Sequence, residues 1–135
     1  MSIAPPPPDA PWALVIAHDP READELAGLI ARHRSVRCAT RIAEVMRLLA
    51  LHSSVQLVCV DLDLPGEAAA LLFRTIRADR RFDHIQVVGF GGETAERHVA
   101  AIRAGAGAVL STPVRARTVE GVVRRRRRTL PPKAA

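Results

Sequence analysis

The residues of this sequence best placed to do chemistry form two short polar segments, each next to a run of apolar residues. His18 and Asp19 follow the first run, and Asp61 and Asp63 lie at the end of a later one. Carboxylate oxygens are the ligands that Mg²⁺ prefers, whereas imidazole suits Zn²⁺ and Cu²⁺. These groups are few and loosely spaced. A solvated loop histidine is therefore the simpler interpretation of His18, and a transition-metal site is not predicted.

The elements that position these residues follow a regular rhythm. From Trp12 onward, apolar runs of about five residues alternate with longer segments of helical periodicity. Asp19 and Thr40 are the expected N-caps of the first two helices, and Gly105 is the expected end of the fourth. The pattern predicts strands over 12–17, 35–39, 55–61, 85–90 and 108–110. It predicts helices that begin after Asp19 and Thr40, and helices over 67–78, 93–104 and 118–129, with Leu71, Leu72 and Ile76 buried in the third.

Five consecutive strand–helix units indicate an α/β fold with a parallel sheet, because parallel strands need crossover helices. Right-handed crossovers place helices on both faces of a doubly wound sheet. In a flavodoxin-like sheet with strand order 2-1-3-4-5, ligands sit at the carboxyl ends of strands one and three. With that order we expect His18, Asp19 and Asp61 to lie at this point, and Gly91 and Thr112 to border the same edge.

Length and composition indicate one domain. The 135 residues are 48% apolar, which excludes a wholly disordered chain. The interpretation assigns residues 1–11 to a disordered proline-rich leader, 12–128 to the folded domain and 129–135 to a tail. Neither a membrane span nor a signal peptide is predicted, and the two cysteines, Cys38 and Cys59, are expected to be reduced core thiols of a cytoplasmic protein.

The net charge of +6 comes from the end of the chain. Arg124–Arg128 and Lys133 supply six basic residues, and no acidic residue follows Glu120. Residues 1–123 are therefore neutral overall, and a basic domain surface for nucleic acid is not predicted. The arginine run is interpreted chiefly as a solvated helix end, with contact to an acidic partner, nucleic acid or an anionic membrane as alternatives.

The segment from Asp61 to Pro65 and Gly66 resembles the D-x-x-x-P-G motif of response-regulator receiver domains. Asp19-Pro20 after the first strand and Ser111-Thr112-Pro113 after the fifth support the likeness, which covers residues 12–128. The resemblance implies a five-stranded doubly wound domain in which Asp61 is the phosphoryl acceptor. It also implies a pair of acidic Mg²⁺ ligands after strand one, a hydroxyl after strand four and a lysine after strand five.

This sequence keeps only the acceptor aspartate of that set. The acidic pair falls on Ala17 and His18, the hydroxyl position is Gly91 and the lysine position is Thr112, while Val109 replaces the usual aromatic residue of strand five. Lys133 is the only lysine in the chain. The expected cofactor is therefore none or weakly bound Mg²⁺. In an alternative alignment, shifted by one residue, Asp19 becomes a metal ligand beside Asp61.

The preferred hypothesis is a stand-alone, degenerate receiver domain that acts as a non-catalytic interaction module rather than an enzyme. The resemblance implies docking to a histidine kinase or an output protein, or homodimerisation, through the fourth helix, fifth strand and fifth helix. Residues expected on that face are His98, Ile102, Val114, Val119, Arg124 and Arg125. The alternatives are a conventional regulator phosphorylated on Asp61, and nucleic-acid association through the basic tail, which is less favoured.

Overall fold

The structure is a computed structural model that describes residues 12–125. Five parallel strands form one sheet in the order β2-β1-β3-β4-β5, as predicted. The strands are β1 (Trp12–Ile16), β2 (Ser35–Ala39), β3 (Val55–Asp61), β4 (Gln86–Phe90) and β5 (Ala108–Leu110). The predicted leader (1–11) and tail (129–135) lie outside the described residues. The last three residues of the predicted folded domain, Arg126–Arg128, also lie outside them.

Five helices connect or follow the strands. They are α1 (Pro20–Ile30), α2 (Ile42–Leu51), α3 (Ala68–Ala78), α4 (Ala95–Ala104) and α5 (Ala116–Arg124), with a short 3-10 helix at Arg80–Phe82. Asp19 caps α1 as expected, since its carboxylate accepts a hydrogen bond from the Arg21 N–H at 2.9 Å. Gly105 ends α4 with a φ of 123°, which favours glycine.

The apolar residues of the sheet alternate between two core layers. Trp12, Leu14 and Ile16 of β1 pack into one layer, and Ala13 and Val15 pack into the other. This alternation follows from the two-residue period of a strand, and it requires apolar residues on both faces. The first layer lies under α2, α3 and α4, and the second lies under α1 and α5. The prediction of helices on both faces is confirmed.

Several local expectations were wrong. Thr40 does not cap α2, because the helix begins one residue later and Arg41 is its N-cap without a side-chain bond. Leu71 is exposed rather than buried, because the buried side of α3 runs through Leu72 and Ile76. Cys38 is exposed because β2 is an edge strand, whereas Cys59 is buried and its pKa is raised to about 12.

The remaining helix boundaries moved by a few residues. The start of α4 is Ala95 because Thr94 is its N-cap, rather than a helix from Glu93. The start of α5 is Ala116 rather than Thr118, and Arg125 has extended backbone angles, so the described helix ends at Arg124. Within residues 12–125, no helix is long and apolar enough to cross a bilayer.

Thr94 caps its helix with a side-chain hydrogen bond and Thr40 does not, and stability measurements will detect this difference. The Thr94 hydroxyl accepts the Arg97 N–H at 3.2 Å, so we expect Thr94→Ala to cost about 1 kcal/mol of unfolding free energy. The matched change Thr40→Ala removes no cap bond and should stay within about 0.5 kcal/mol of the parent. Urea denaturation of both variants makes the comparison, and equal losses would contradict the assigned caps.

Candidate functional site

The candidate site lies where the carboxyl ends of β1 and β3 meet. Ile16 is in register with Val60, so the loop after β1 lies directly over the end of β3. Asp61 is the last residue of β3, and its side chain has no exposed surface. Among the described residues, Asp61 is the only charged or polar residue that is buried. A charge in such a place needs bonded partners, because burial of an unpaired charge is costly.

Three hydrogen bonds satisfy the Asp61 carboxylate. Its Oδ1 accepts the backbone N–H of Asp63 at 2.8 Å. Its Oδ2 accepts the backbone N–H of His18 at 3.1 Å and also bonds to His18 Nδ1. The two backbone N–H groups donate to the carboxylate whichever ring nitrogen of His18 carries a hydrogen. Both oxygens of Asp61 are therefore occupied by donors from the chain itself.

His18 covers Asp61 from the solvent side. The His18 side chain is 44% exposed, while the carboxylate beneath it is not exposed at all. The hydrogen bond with Asp61 raises the pKa of His18 above its ordinary value, and the smaller effect of burial opposes that rise. In the preferred alignment, His18 stands at one of the two acidic positions of a receiver. Here it is bonded to the acceptor aspartate, whereas a receiver has a carboxylate metal ligand at that position.

Glu22 is a member of this site that sequence analysis missed. It lies four residues after His18, on the first turn of α1, and is partly buried. Burial, and then the nearby charge of Asp61, raise the pKa of the Glu22 carboxyl. Its Oε2 atom is buried and has no hydrogen-bond partner within residues 12–125. The only signal in the sequence was its position in the predicted first turn of the helix that follows His18 and Asp19.

Asp19 does not join the group. The donor atoms that come within 4.8 Å of one another belong to His18, Glu22 and Asp61. The Asp19 carboxylate instead caps the N-terminus of α1 by accepting the Arg21 N–H. A negative charge at that position also interacts favourably with the helix dipole. The one-residue-shifted alignment, which would make Asp19 a metal ligand beside Asp61, therefore finds no support in this arrangement of side chains.

Asp63 connects the site to α4. Its Oδ2 accepts the N–H of Gly92 at 3.2 Å, and its Oδ1 bonds to Arg97 Nη1 at 2.6 Å. The Arg97 side chain is 58% exposed, so water screens this ion pair and its contribution to stability is small. The Asp63–Arg97 ion pair nevertheless orients the Asp63 side chain and links the loop between β3 and α3 to α4.

The backbone conformation of Gly91 disfavours any residue with a Cβ atom, including the serine or threonine that a receiver has after strand four. Its φ is +76°, in the left-handed region that favours glycine. A Cβ atom there would lie 2.9 Å from Asp63 Oδ2 and 3.4 Å from Asp61 Oδ1. The Gly91 carbonyl accepts a hydrogen bond from His98 Nε2 at 3.1 Å. His98, expected on a docking surface, thus also connects α4 to the site.

The fifth strand contributes no cation to the site. Thr112 is exposed on the loop after β5 and precedes Pro113 through a cis peptide bond. Val109 is half-buried against the core layer under α4. Lys133 lies outside the described residues.

The donor set does not fit Mg²⁺. Ala17 is buried and carries no ligand atom, and His18 offers a nitrogen, whereas Mg²⁺ requires hard oxygen ligands in octahedral geometry. Within this group Glu22 and Asp61 offer carboxylates, whereas a receiver supplies three, and Asp61 already accepts three hydrogen bonds.

The expected docking face is only partly exposed. Ile102 is 49% exposed, and Arg124 and Arg125 are exposed, with Arg124 paired to Glu120 at 2.7 Å. Val119 is only 2% exposed because it packs into the core layer under α5, so its assignment to a contact surface was wrong. Val114 is half-buried against the same layer. Arg126–Arg128 lie outside the described residues.

A second exposed apolar area was not predicted. Val99 on α4 is 50% exposed and lines a groove of about 620 Å³ between α3 and α4. Leu71 on α3 is also exposed. Val99 and Ile102 are three residues apart on α4, so the two exposed apolar side chains share one face of that helix.

Comparison with known proteins identifies the fold. The sequence matches no protein-family model and no curated protein. A response regulator receiver protein from Pseudomonas putida is 25% identical, with a TM-score of 0.69, over 84% of this chain and 95% of its own. The receiver domain of a Saccharomyces cerevisiae response regulator, solved with a histidine phosphotransfer protein, is 16% identical, with a TM-score of 0.69, over 85% and 87% of the two chains.

A third similar structure is that of an atypical orphan response regulator with a phosphorylation-independent regulatory mechanism. It is 18% identical, with a TM-score of 0.65, over 83% of this chain and 88% of its own. These likenesses, together with the strand order, show that the chain has the fold of response-regulator receiver domains.

Proposed function

We propose that this chain is an atypical receiver domain that acts by contact with a signalling protein and does not depend on phosphorylation of Asp61. The observation that carries the proposal is the closed state of the acceptor. The Asp61 carboxylate has no exposed surface and lies beneath His18, with hydrogen bonds to both oxygens. A small phosphodonor has no open path to either oxygen in this arrangement.

The chemistry of phosphoryl transfer supports the same conclusion. The transferred group carries negative charge on three equatorial oxygens, and catalysis depends on cations and donors placed around it. Thr112 stands at the lysine position, Gly91 at the hydroxyl position, and the donor set does not fit Mg²⁺. Arg97, a cation that reaches the site from α4, is bonded to Asp63 rather than to Asp61. Loss of one such donor can cost about 3 kcal/mol of transition-state stabilisation.

The fourth helix is the surface that this proposal assigns to the partner. It exposes Val99 and Ile102 to solvent, and it is bonded to the site through His98 and Arg97. Apolar side chains in the centre of a charged surface are typical of protein contacts. A structural relative was solved with a histidine phosphotransfer protein, which supports a signalling protein as the class of partner.

The direct test is incubation of the full chain with Mg²⁺ and a small acyl phosphate, followed by intact mass measurement. We expect no hydrolysable adduct with the mass of one phosphoryl group, because Asp61 is covered and lacks its charge partners. A conventional receiver domain treated in the same tube should gain the adduct, which shows that the donor is active.

The outcome that contradicts the proposal is also defined at the level of single residues. An adduct that forms in the parent and in Asp63→Asn but is lost in Asp61→Asn would establish Asp61 as a working acceptor. The chain would then be a conventional phosphorylated receiver with unusual partners at its site.

A further inference from the structure

A continuous groove runs between α3 and α4. One part, of about 620 Å³, is lined mainly by α4, and an adjoining part of about 470 Å³ extends toward the loop after β3. The two parts share Arg74 of α3 and Ala100 of α4. Both helices cross back between parallel strands over the same core layer, so they run in the same direction. One end of the groove therefore lies at two helix N-termini and the other at two C-termini.

The middle of this groove is apolar and exposed. Among the described residues, the exposed large apolar side chains are Leu51, Leu71, Val99 and Ile102, and all but Leu51 lie on α3 or α4. Val99 is 50% exposed and lies in the groove itself. The small side chain of Ala100 beside it allows close approach, because the distance between packed helices depends on the side chains at their contact. The groove therefore has the shape to receive another helix.

The two ends of the groove carry opposite charges. Glu96 is in the first turn of α4, and Arg103 follows seven residues later on the same side, since seven residues are nearly two turns. The wall formed by α3 repeats this order with Glu67 and Arg74. All four side chains are exposed, and none has an ion-pair partner among residues 12–125. The groove thus has an acidic end, an apolar middle and a basic end.

This order of charges selects the occupant. A partner helix of uniform charge would meet a like charge at one end of the groove. A second copy of α4, laid antiparallel, instead brings its own Glu96 to Arg103 and Arg74, and its own Arg103 to the acidic end. The midpoint between Glu96 and Arg103 falls between Val99 and Ala100, where the two-fold axis would pass. A two-fold interface must be self-complementary, and this groove meets that requirement.

We propose that the chain forms a two-fold symmetric dimer in which α4 of each copy lies antiparallel in the groove between α3 and α4 of the other. Glu96 of each copy pairs with Arg103 of its partner, and the Val99 side chains meet at the axis. The interface involves α3, whereas the family resemblance implies β5 and α5. The dimer covers Val99 and so excludes a signalling protein from that part of α4, a consequence that alone rests on the proposed function.

Sedimentation equilibrium of the full chain tests the dimer. We expect twice the mass of one chain at about 100 μM protein, which a micromolar dissociation constant would give. Glu96→Arg and Arg103→Glu should each weaken dimerisation roughly tenfold or more, because like charges then face each other. An equimolar mixture of the two variants should restore the dimer, since the arginines of one copy then face the glutamates of the other. A monomeric parent, or a mixture that stays monomeric, would overturn the proposal.

Matched variants show whether the effect belongs to the groove. Asp24→Arg on α1 and Arg32→Glu after it make the same charge changes at exposed positions outside the groove and should dimerise as the parent does. Val99→Asp should abolish the dimer, and Leu51→Asp, at an exposed position of α2, should not. Circular dichroism checks that each variant is folded. A dimer that survives Val99→Asp and both charge reversals would place the interface on another face and contradict the proposal.

The outcome is independent of the phosphorylation test. The samples contain no phosphodonor and no other protein, so a monomeric chain would leave the proposed function standing. A phosphoryl adduct on Asp61 would in turn leave the dimer standing.

Discussion

Gly91→Ser, the change that restores the hydroxyl residue of a receiver, is expected to destabilise this protein by about 2 kcal/mol. The backbone at Gly91 has a φ of +76°, which a residue with a Cβ atom adopts only at a cost. The new Cβ would also lie 2.9 Å from Asp63 Oδ2 and force that carboxylate from its bonds with Gly92 and Arg97. Urea denaturation measures the loss.

Gly28→Ser is the matched control. Gly28 lies inside α1, and a Cβ there meets no atom within 4 Å. Since serine is a better helix former than glycine, we expect this variant to equal the parent or exceed it by about 0.5 kcal/mol. If Gly91→Ser proved as stable as Gly28→Ser and also gained an acyl-phosphate adduct, the site would be a receiver site in need of one residue. We expect neither result.

The fold was predictable because both faces of its central strands are apolar. In β1 the residues at Trp12, Leu14 and Ile16 serve one core layer and those between them serve the other, so the run could only be a central strand covered twice. The helix starts were harder to predict, because a threonine before a helical pattern can lie at the cap or one residue outside it. Thr40 and Thr94 are examples of the two cases.

The site was predictable only in part, because one residue of register decides which side chain points inward. His18 and Asp19 are adjacent in the sequence, and either could have faced Asp61. In the structure Asp19 is used at the N-terminus of α1, which leaves His18 over the acceptor. Glu22 could be placed only once α1 was known to start at Pro20, since its position depends on the direction of that helix.

Contacts between the loops and α4 were outside the reach of sequence patterns. His98 bonds to the Gly91 carbonyl, and Arg97 bonds to Asp63, although these pairs are distant in the sequence or joined by a loop. These two hydrogen bonds connect the loops around Asp61 to α4, the helix that exposes Val99 and Ile102. A change at Asp61 that moved either loop would therefore move the proposed contact surface.

Asp61→Ala is expected to lower the free energy of unfolding, measured by urea denaturation, by about 3 kcal/mol. The change leaves the backbone N–H groups of His18 and Asp63 without the acceptor that they now share. It also removes the partner of the His18 ring. Asp61→Asn keeps one carbonyl oxygen for one of these donors and should cost less. Asp24→Ala, at an exposed position of α1, should change stability by no more than about 0.5 kcal/mol.

The direction of the Asp61→Ala effect separates two roles for this residue. Where an aspartate is kept for chemistry among other acids, its removal relieves repulsion and can stabilise the fold. Here Glu22 is the neighbouring acid that supplies such repulsion. The His18 ring, bonded to Asp61, offsets it. The three hydrogen bonds of Asp61 then determine whether its removal lowers or raises the free energy of unfolding. A variant more stable than the parent would mean that Asp61 is held at a cost, as a working acceptor is. The expected loss means instead that Asp61 now holds β1 and β3 together through the loops that follow them.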